Sequence, residues 1–184
     1  MGETVTAHEL IDFWFSKPAR ERWFDSTPEF DRQVRERFLS TYEAAAAGEL
    51  DHWQQTPAGA LALVIALDQF PLNMFRGEAR SFDTEARSRE VAAAAIEQGL
   101  DEPLEDEQKA FLYLPFMHSE SLADQDRSVA LFEAAGLTDN LKWAYHHRDI
   151  VRRFGRFPHR NAILGRQSTA EEQAYLNSDE AFTG

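Results

Sequence analysis

The chain reads as an all-α protein built from stacked antiparallel helical hairpins, and three observations predict it. Apolar residues recur at three- and four-residue intervals almost throughout, and no alternating run marks a strand. Helix starts are signalled by Thr, Ser or Asp caps, twice followed by Pro, and stops by Gly. Expected helix starts at 105 and 139 lie 34 residues apart, and those at 83 and 121 lie 38 apart. That spacing suits a tetratricopeptide-like superhelix of two-helix repeats, although the repeat's own residue pattern is not evident.

The elements follow in order. Leu10, Phe13 and Trp14 form one face of a first short helix. Thr27-Pro28-Glu29 opens the next: an oxygen-bearing cap, Pro in the first turn, an acid at the positive end of the dipole. It should run to about Ala47, stop at Gly48, and bury Phe30, Val34, Phe38 and Tyr42. The same start recurs at Thr56-Pro57, before a helix apolar nearly all round and therefore central, expected to end near Phe70-Pro71. A helix from about Asp83 to Gln98 stops at Gly99. Another starts near Glu105, carries Phe111, Leu112, Leu114 and Phe116, and is kinked or ended by Pro115. Ser121 with Asp124 resembles a capping box opening a helix to Ala135. Asp139 is expected to cap the next, to about Phe154 and Gly155, and Ser168 with Glu171 to open a last one to about Leu176.

At 184 residues the expectation is one helical domain, 1–184, with a loose tail over about 177–184. Fourteen Phe and four Trp give it core material enough to need no staple. Cysteine is absent, which excludes disulfides, thiolate metal sites and a cysteine nucleophile, and fits a reducing cytoplasm. The N-terminal MGETVTAHELIDFWF is amphipathic and acidic, unlike a secretory signal. The longest strongly apolar run, ALALVIAL at 60–67, is far short of the roughly 20 residues that span a bilayer. A cytoplasmic protein with no membrane partner is expected. The net charge of −13 argues against general nucleic-acid or anionic-membrane binding.

Against that charge, the window Arg148–Arg166 stands out: six arginines and one acid, interleaved with Phe154, Phe157 and His159. Guanidinium is always charged and grips carboxylate or phosphate with a planar fork, so the cluster either neutralises acids of the fold or holds an anion. A basic–aromatic RNA-binding segment is disfavoured by the overall charge and the lack of any module signature.

Three stretches, LDQFPLNMFRG (67–77), FLYLPFMHSE (111–120) and HRDIVRRFGRFPHRNAILGR (147–166), together resemble the bacterial domain-of-unknown-function family 924 over nearly the whole chain. The resemblance implies an all-helical, tetratricopeptide-like fold. It implies no established reaction, cofactor or catalytic residue. Matching positions are Asp68, Gln69, Pro71 and Arg76; His118, Ser119 and Glu120; and His147, Arg153, Arg156, His159, Arg160 and Asn161.

Each polar position has two readings. Asp68, at the expected end of the most apolar helix, opposes the dipole and should need an arginine; it equally suits a cap or a structural ion pair. His118 and Glu120 are candidates for proton transfer, or part of a corner where Ser119 or Ser121 caps the next helix. His147 shares a helical stripe with Trp143, Ile150 and Phe154, so it is a third catalytic candidate or a buried histidine with one hydrogen-bond partner. The candidate ligand-binding set is Asp68, Arg153, Arg156, His159, Arg160 and Asn161. No Walker loop, GxGxxG, GxSxG or HExxH occurs, and the HxE of 118–120 lacks a downstream PCxxC. No cofactor and no metal are expected, although the many acids leave a carboxylate-bound magnesium open.

The preferred expectation is a pocket where the three stretches converge on a small anionic or polar molecule, with or without chemistry. Arg153, Arg156 or Arg160 should pair with Asp68 or Glu120. The rivals are a module for a peptide or protein partner, and a purely structural lock of buried ion pairs.

Overall fold

The structure, a computed structural model, describes residues 2–184. Among them are nine α-helices, three 3-10 turns and no strand: α1 (Ala7–Trp14), α2 (Lys17–Arg20), α3 (Pro28–Ala46), α4 (Pro57–Met74), α5 (Glu85–Glu97), α6 (Asp106–Met117), α7 (Leu122–Ala134), α8 (Thr138–Phe154) and α9 (Ala170–Leu176). The protein is all-α, as expected. The chain divides into two compact units, Met1–Arg76 with Arg80–Pro115, and Gly77–Ala79 with Phe116–Gly184.

In the first unit α4 is the core helix and packs against α1, α3 and α5. Every residue from Gly59 to Pro71 is buried, because a helix apolar on all sides has to be surrounded. By length and composition α4 could cross a bilayer, yet 83% of it is buried inside the fold. Thr27 and Thr56 cap α3 and α4 as expected, accepting from the N–H of Phe30 and Gly59, with Pro28 and Pro57 in the first turns. A Cβ at Gly59 would stand 2.1 Å from the Trp53 carbonyl oxygen, so the turn before α4 closes only over glycine. The stripe Phe30, Val34, Phe38 and Tyr42 is buried. Phe38 meets Phe70 at 4.7 Å between ring centroids, and Trp14 meets Phe70 and Phe111 edge-on at 5.6 and 5.7 Å.

The expected end of α4 at Phe70-Pro71 is corrected: the helix continues through Pro71 to Met74. Proline lacks the N–H that would bond the carbonyl four residues back, at Leu67. Thr84 replaces it, its hydroxyl donating to Leu67 O at 2.6 Å. Thr84 stands at the cap position of α5 and makes no side-chain cap bond there. The end of α4 is then tied to α3. Arg35 Nη1 donates to Met74 O at 3.0 Å. Arg76 grips Asp31 with two bonds of 2.7 and 3.1 Å, and Asn73 Nδ2 adds a third at 2.7 Å. Burial alone would raise the Asp31 carboxyl, but the bonds from Arg76, Asn73 and Ser26 outweigh it and hold the group below its ordinary range. α6 likewise passes through Pro115, reaching Met117.

In the second unit α7 and α8 pack as a hairpin, and three expected caps are corrected. Ser121 makes no side-chain cap bond; the Ser119 hydroxyl instead donates to Asp124 Oδ2 at 2.6 Å and accepts the Ser121 N–H at 3.1 Å. Asp139 does not cap α8, which begins a residue earlier after Leu137; it pairs with Lys142 at 3.2 Å. The last capping box is Thr169 with Glu172, not Ser168 with Glu171. Ser168 is occupied by Asn161, and Glu171 by Arg153. Phe182 N–H donates to the Tyr175 hydroxyl at 2.9 Å, and its ring packs on the cluster of Ile150, Val151, Phe157 and Tyr175.

The Thr84 bond gives a first prediction. Thr84→Val strands a buried carbonyl and should cost about 1–3 kcal/mol in denaturant unfolding. In a Pro71→Ala background, where the substituted residue restores the missing N–H, the same change should cost under about 1 kcal/mol. Equal penalties in the two backgrounds would refute the compensation.

Candidate functional site

All catalytic candidates and the arginine cluster lie in the second unit, where a carboxylate at each end of the cluster organises it. Glu120 follows α6. Arg166 grips it with two parallel bonds of 2.8 and 2.9 Å, and the Phe157 N–H donates to its Oε1 at 2.8 Å. Burial would raise this carboxyl; the Arg166 and Phe157 bonds, with the charges of Arg166 and Arg160, overcome it, and the group sits below its ordinary value. Arg166 also donates to Asn161 Oδ1 at 3.0 Å and to Phe157 O at 3.2 Å. Arg160, 6% exposed, donates to His118 O at 3.0 Å and lies 5.0 Å over the Phe157 ring.

Glu172 is the second centre. It is buried, accepts from Arg156 at 2.8 and 2.9 Å, from Thr169 N–H at 2.8 Å and from Asn161 Nδ2 at 3.2 Å. The Arg156 bonds are the chief reason its carboxyl is lowered to about 2; burial opposes them, and the Thr169 bond, the Arg156 charge and the Asn161 bond add to them. Asn161 thereby bridges the two networks, its Oδ1 on Arg166 and its Nδ2 on Ser168 and Glu172. The bends at Gly155 and Pro158 bring these groups together from α8, the 3-10 turn Pro158–Arg160 and α9.

Beside this network lies a group of imidazoles. His147 is buried, and its Nδ1 contacts Trp143 O at 2.8 Å; a carbonyl only accepts, so Nδ1 carries the proton. Burial pushes His147 down to about 3 against the pull of that bond, with small contributions from His118, His146 and His159. His159 is lowered to about 4, first by burial and then by the Arg160 charge, with Glu120 opposing. Both are neutral at pH 7. The Phe182 ring stands 4.7 Å from His147 and 5.0 Å from His159. Among the described residues no group of three or more His, Asp or Glu is placed to hold a metal ion.

Arg153 differs from its neighbours. Half-exposed, it donates Nε to Glu171 Oε1 at 2.9 Å and lies over the rings of Phe154 and Tyr175, at 4.7 and 5.8 Å. It lines an open cleft of about 460 Å³ with His146, Asp149, Ile150, Phe154, Tyr175, Asp179 and Glu180.

Glu120 pairs with Arg166, which lies outside the candidate set, while Arg153 and Arg156 take Glu171 and Glu172. Asp68 belongs to the first unit. It is not at a helix end but inside α4, because α4 overruns Pro71; it is 1% exposed, and its Oδ2 accepts from Gln69 Nε2 at 2.8 Å. His147 is buried, although Trp143, on the same stripe, is 55% exposed. Sequence reasoning missed Glu172, Tyr175 and Phe182. Glu172 had a signal, since Thr169-x-x-Glu172 is itself a capping pattern; the tail had none beyond its single aromatic.

The profile of the family described as "Bacterial protein of unknown function (DUF924)" matches residues 10–180, and the chain belongs to that family. A solved structure of a protein of unknown function from Agrobacterium tumefaciens is 44% identical, with a TM-score of 0.88; the match covers 93% of this chain and 96% of that one. No curated protein matches the sequence.

The two kinds of arginine should differ in their effect on stability. Arg166→Ala leaves the partly buried Glu120 without its fork and should cost roughly 2–4 kcal/mol in unfolding. Arg153→Ala removes a surface pair and should cost no more than about 1 kcal/mol. Comparable losses would contradict this division.

The imidazoles impose a pH dependence. His147 and His159 have folded pKa values near 3 and 4, below the roughly 6.5 of an unfolded histidine. The unfolded chain therefore binds more protons as pH falls below about 6.5, and stability falls with it. At pH 5 the loss approaches about 2 kcal/mol per histidine. Glu120 and Glu172, held below their ordinary values, lose stability in the same direction at lower pH. Melting temperature should drop between pH 7 and 5; a level profile there would count against the burial of the two imidazoles.

Proposed function

We propose that the chain is a cytoplasmic ligand-binding protein that takes a small anionic or polar molecule in the open cleft of its second unit, with Arg153 as the anchor. One observation carries the reading. Arg156 and Arg166 are committed to the fold's own carboxylates and Arg160 is buried, while Arg153 lines a cleft. Its hydrogen bond to Glu171 uses Nε, and a guanidinium has four further N–H donors. The Phe154 and Tyr175 rings beneath it restrict its motion, so less entropy is lost when an anion is gripped. A volume of about 460 Å³ falls in the range of small-molecule sites, and Ile150, Phe154 and Tyr175 supply an apolar floor. Asp149, Asp179 and Glu180 on the same walls disfavour highly charged anions and favour ligands that also carry a donor or a positive group.

The reading assigns no reaction, since His118, Glu120 and His147 do not line the cleft. The packing of α3 with α4 and of α7 with α8 supports the tetratricopeptide-like pairing that the repeat spacing suggests. The cysteine-free composition supports the cytoplasmic assignment.

The test uses acetate, phosphate and sulfate as probes at matched ionic strength. At tenfold excess over its dissociation constant a bound anion adds about 1.4 kcal/mol, or roughly 3–6 °C of melting temperature for a protein of this size. At least one probe should raise the melting temperature of wild type and leave Arg153→Ala unmoved. No shift in wild type, or the same shift in both proteins, would overturn the reading.

A further inference from the structure

The charges on the cleft of the second unit are sorted by position. His146, Asp149, Ile150, Arg153 and Phe154 fall at helical intervals on one face of α8, so the cleft runs along that helix. Asp149 lies about 6 Å from Arg153 along the helix axis, and His146 about 10 Å. α9 and the chain after it follow the same line in the opposite sense. Glu171 meets Arg153 at 2.9 Å, the Tyr175 ring meets that of Phe154 at 5.0 Å, and the Phe182 ring meets that of His146 at 5.8 Å. Asp179 and Glu180 fall between Tyr175 and Phe182 in sequence and line the cleft, which puts them towards the His146 end. One end therefore presents a guanidinium and the other carboxylates, with the apolar Ile150 on α8 between Asp149 and Arg153. These carboxylates are open to a partner. Asp149 has a loose contact with Arg152 at 4.0 Å, and its side chain is 70% exposed. Among the described residues no ion pair engages the side chains of Asp179 or Glu180.

We propose that the ligand of this cleft is a dipolar ion, a carboxylate and an ammonium group joined by a short methylene chain, with the carboxylate on Arg153 and the ammonium among Asp149, Asp179 and Glu180. This rests on the reading of Arg153 as the anchor and adds the other half of the ligand. A bare carboxylate gains the free N–H groups of Arg153 but enters a cleft whose acids outnumber its arginine, so attraction and repulsion largely offset each other. An ammonium at the acidic end turns that repulsion into attraction. An extended chain of about five methylene groups spans the interval of roughly 6–10 Å between the two ends. It lies over Ile150 and Tyr175, where removal of its apolar surface from water adds to binding. An α-amino acid, with both charges on one carbon, does not reach both ends.

The experiment titrates the full chain by calorimetry, at matched ionic strength, with three probes: ε-aminocaproate, caproate, which lacks the ammonium, and norleucine, which carries it on the α-carbon. Wild type should bind ε-aminocaproate at least tenfold more tightly than either of the others. Asp149→Asn, and the double variant Asp179→Asn with Glu180→Gln, should each reduce that preference several-fold. Neither should weaken caproate binding, because each removes negative charge from the cleft. All three positions are exposed, so the variants should keep the wild-type melting profile. Arg153→Ala should abolish binding of ε-aminocaproate and caproate alike. Caproate held through Arg153 with no gain from the ammonium overturns the dipolar ligand and leaves the Arg153 anchor standing. A preference undiminished in the acid variants reflects general attraction of cations to an acidic protein and overturns the proposal. Equal binding of norleucine and ε-aminocaproate overturns the spacing and the proposal with it, as does failure of all three probes to bind. Binding of ε-aminocaproate that survives Arg153→Ala overturns both the proposal and the anchor on which it rests.

Discussion

Neutralising the arginine cluster from within is the constraint on which the second unit depends. Six arginines in one short window would repel one another if folded together unpaired. Glu120 and Glu172 convert that repulsion into cohesion, each gripped by a bidentate guanidinium, the pairing geometry that is strongest per contact. Asn161, 1% exposed, offers both faces of its amide, one to each network. The two ends of the cluster are therefore coupled through a single side chain with no spare polar atom. Half-satisfied buried networks cost more than apolar packing, so this arrangement tolerates little change at Asn161, Arg166 or Glu172.

The first unit solves a different difficulty. α4 must be long enough to face α1, α3 and α5, yet its sequence carries proline a turn before its end. The Thr84 hydroxyl closes the gap in the hydrogen-bond ladder, and the Asp31–Arg76–Asn73 cluster ties the helix end to the start of α3. Both devices bring together residues far apart in sequence, so each fixes helix position as well as satisfying a polar group. Of the polar residues of the first family stretch, Asn73 and Arg76 thus have structural duties.

What could be read in the sequence divides along the same line. Thr27-Pro28 and Thr56-Pro57 were legible because capping is local: the cap oxygen and the N–H it accepts lie three residues apart. The stripe of Phe30, Val34, Phe38 and Tyr42 was legible because periodicity is. The end of α4 was not, because what rescues Pro71 sits at Thr84, and no local rule reports a donor arriving from another helix. Ser168-Glu171 lost to Thr169-Glu172 because two overlapping patterns were equal locally, and the choice fell to Arg156 and Asn161, which draw Glu172 inward. The candidate site was legible as a charge anomaly but not as a pairing. Composition shows that six arginines need partners, while the choice of Arg166 over Arg153 for Glu120 depends on how the turn at Pro158–Arg160 folds back.

Once the network has taken Arg156 and Arg166 into the fold, Arg153 is left on the wall of an open cleft. Asp179 and Glu180 belong to the C-terminal segment, yet they line the cleft with Arg153 and His146. An anion at Arg153 brings negative charge towards those two acids, so a ligand that pairs its acidic group with a donor or a positive group suits the cleft best.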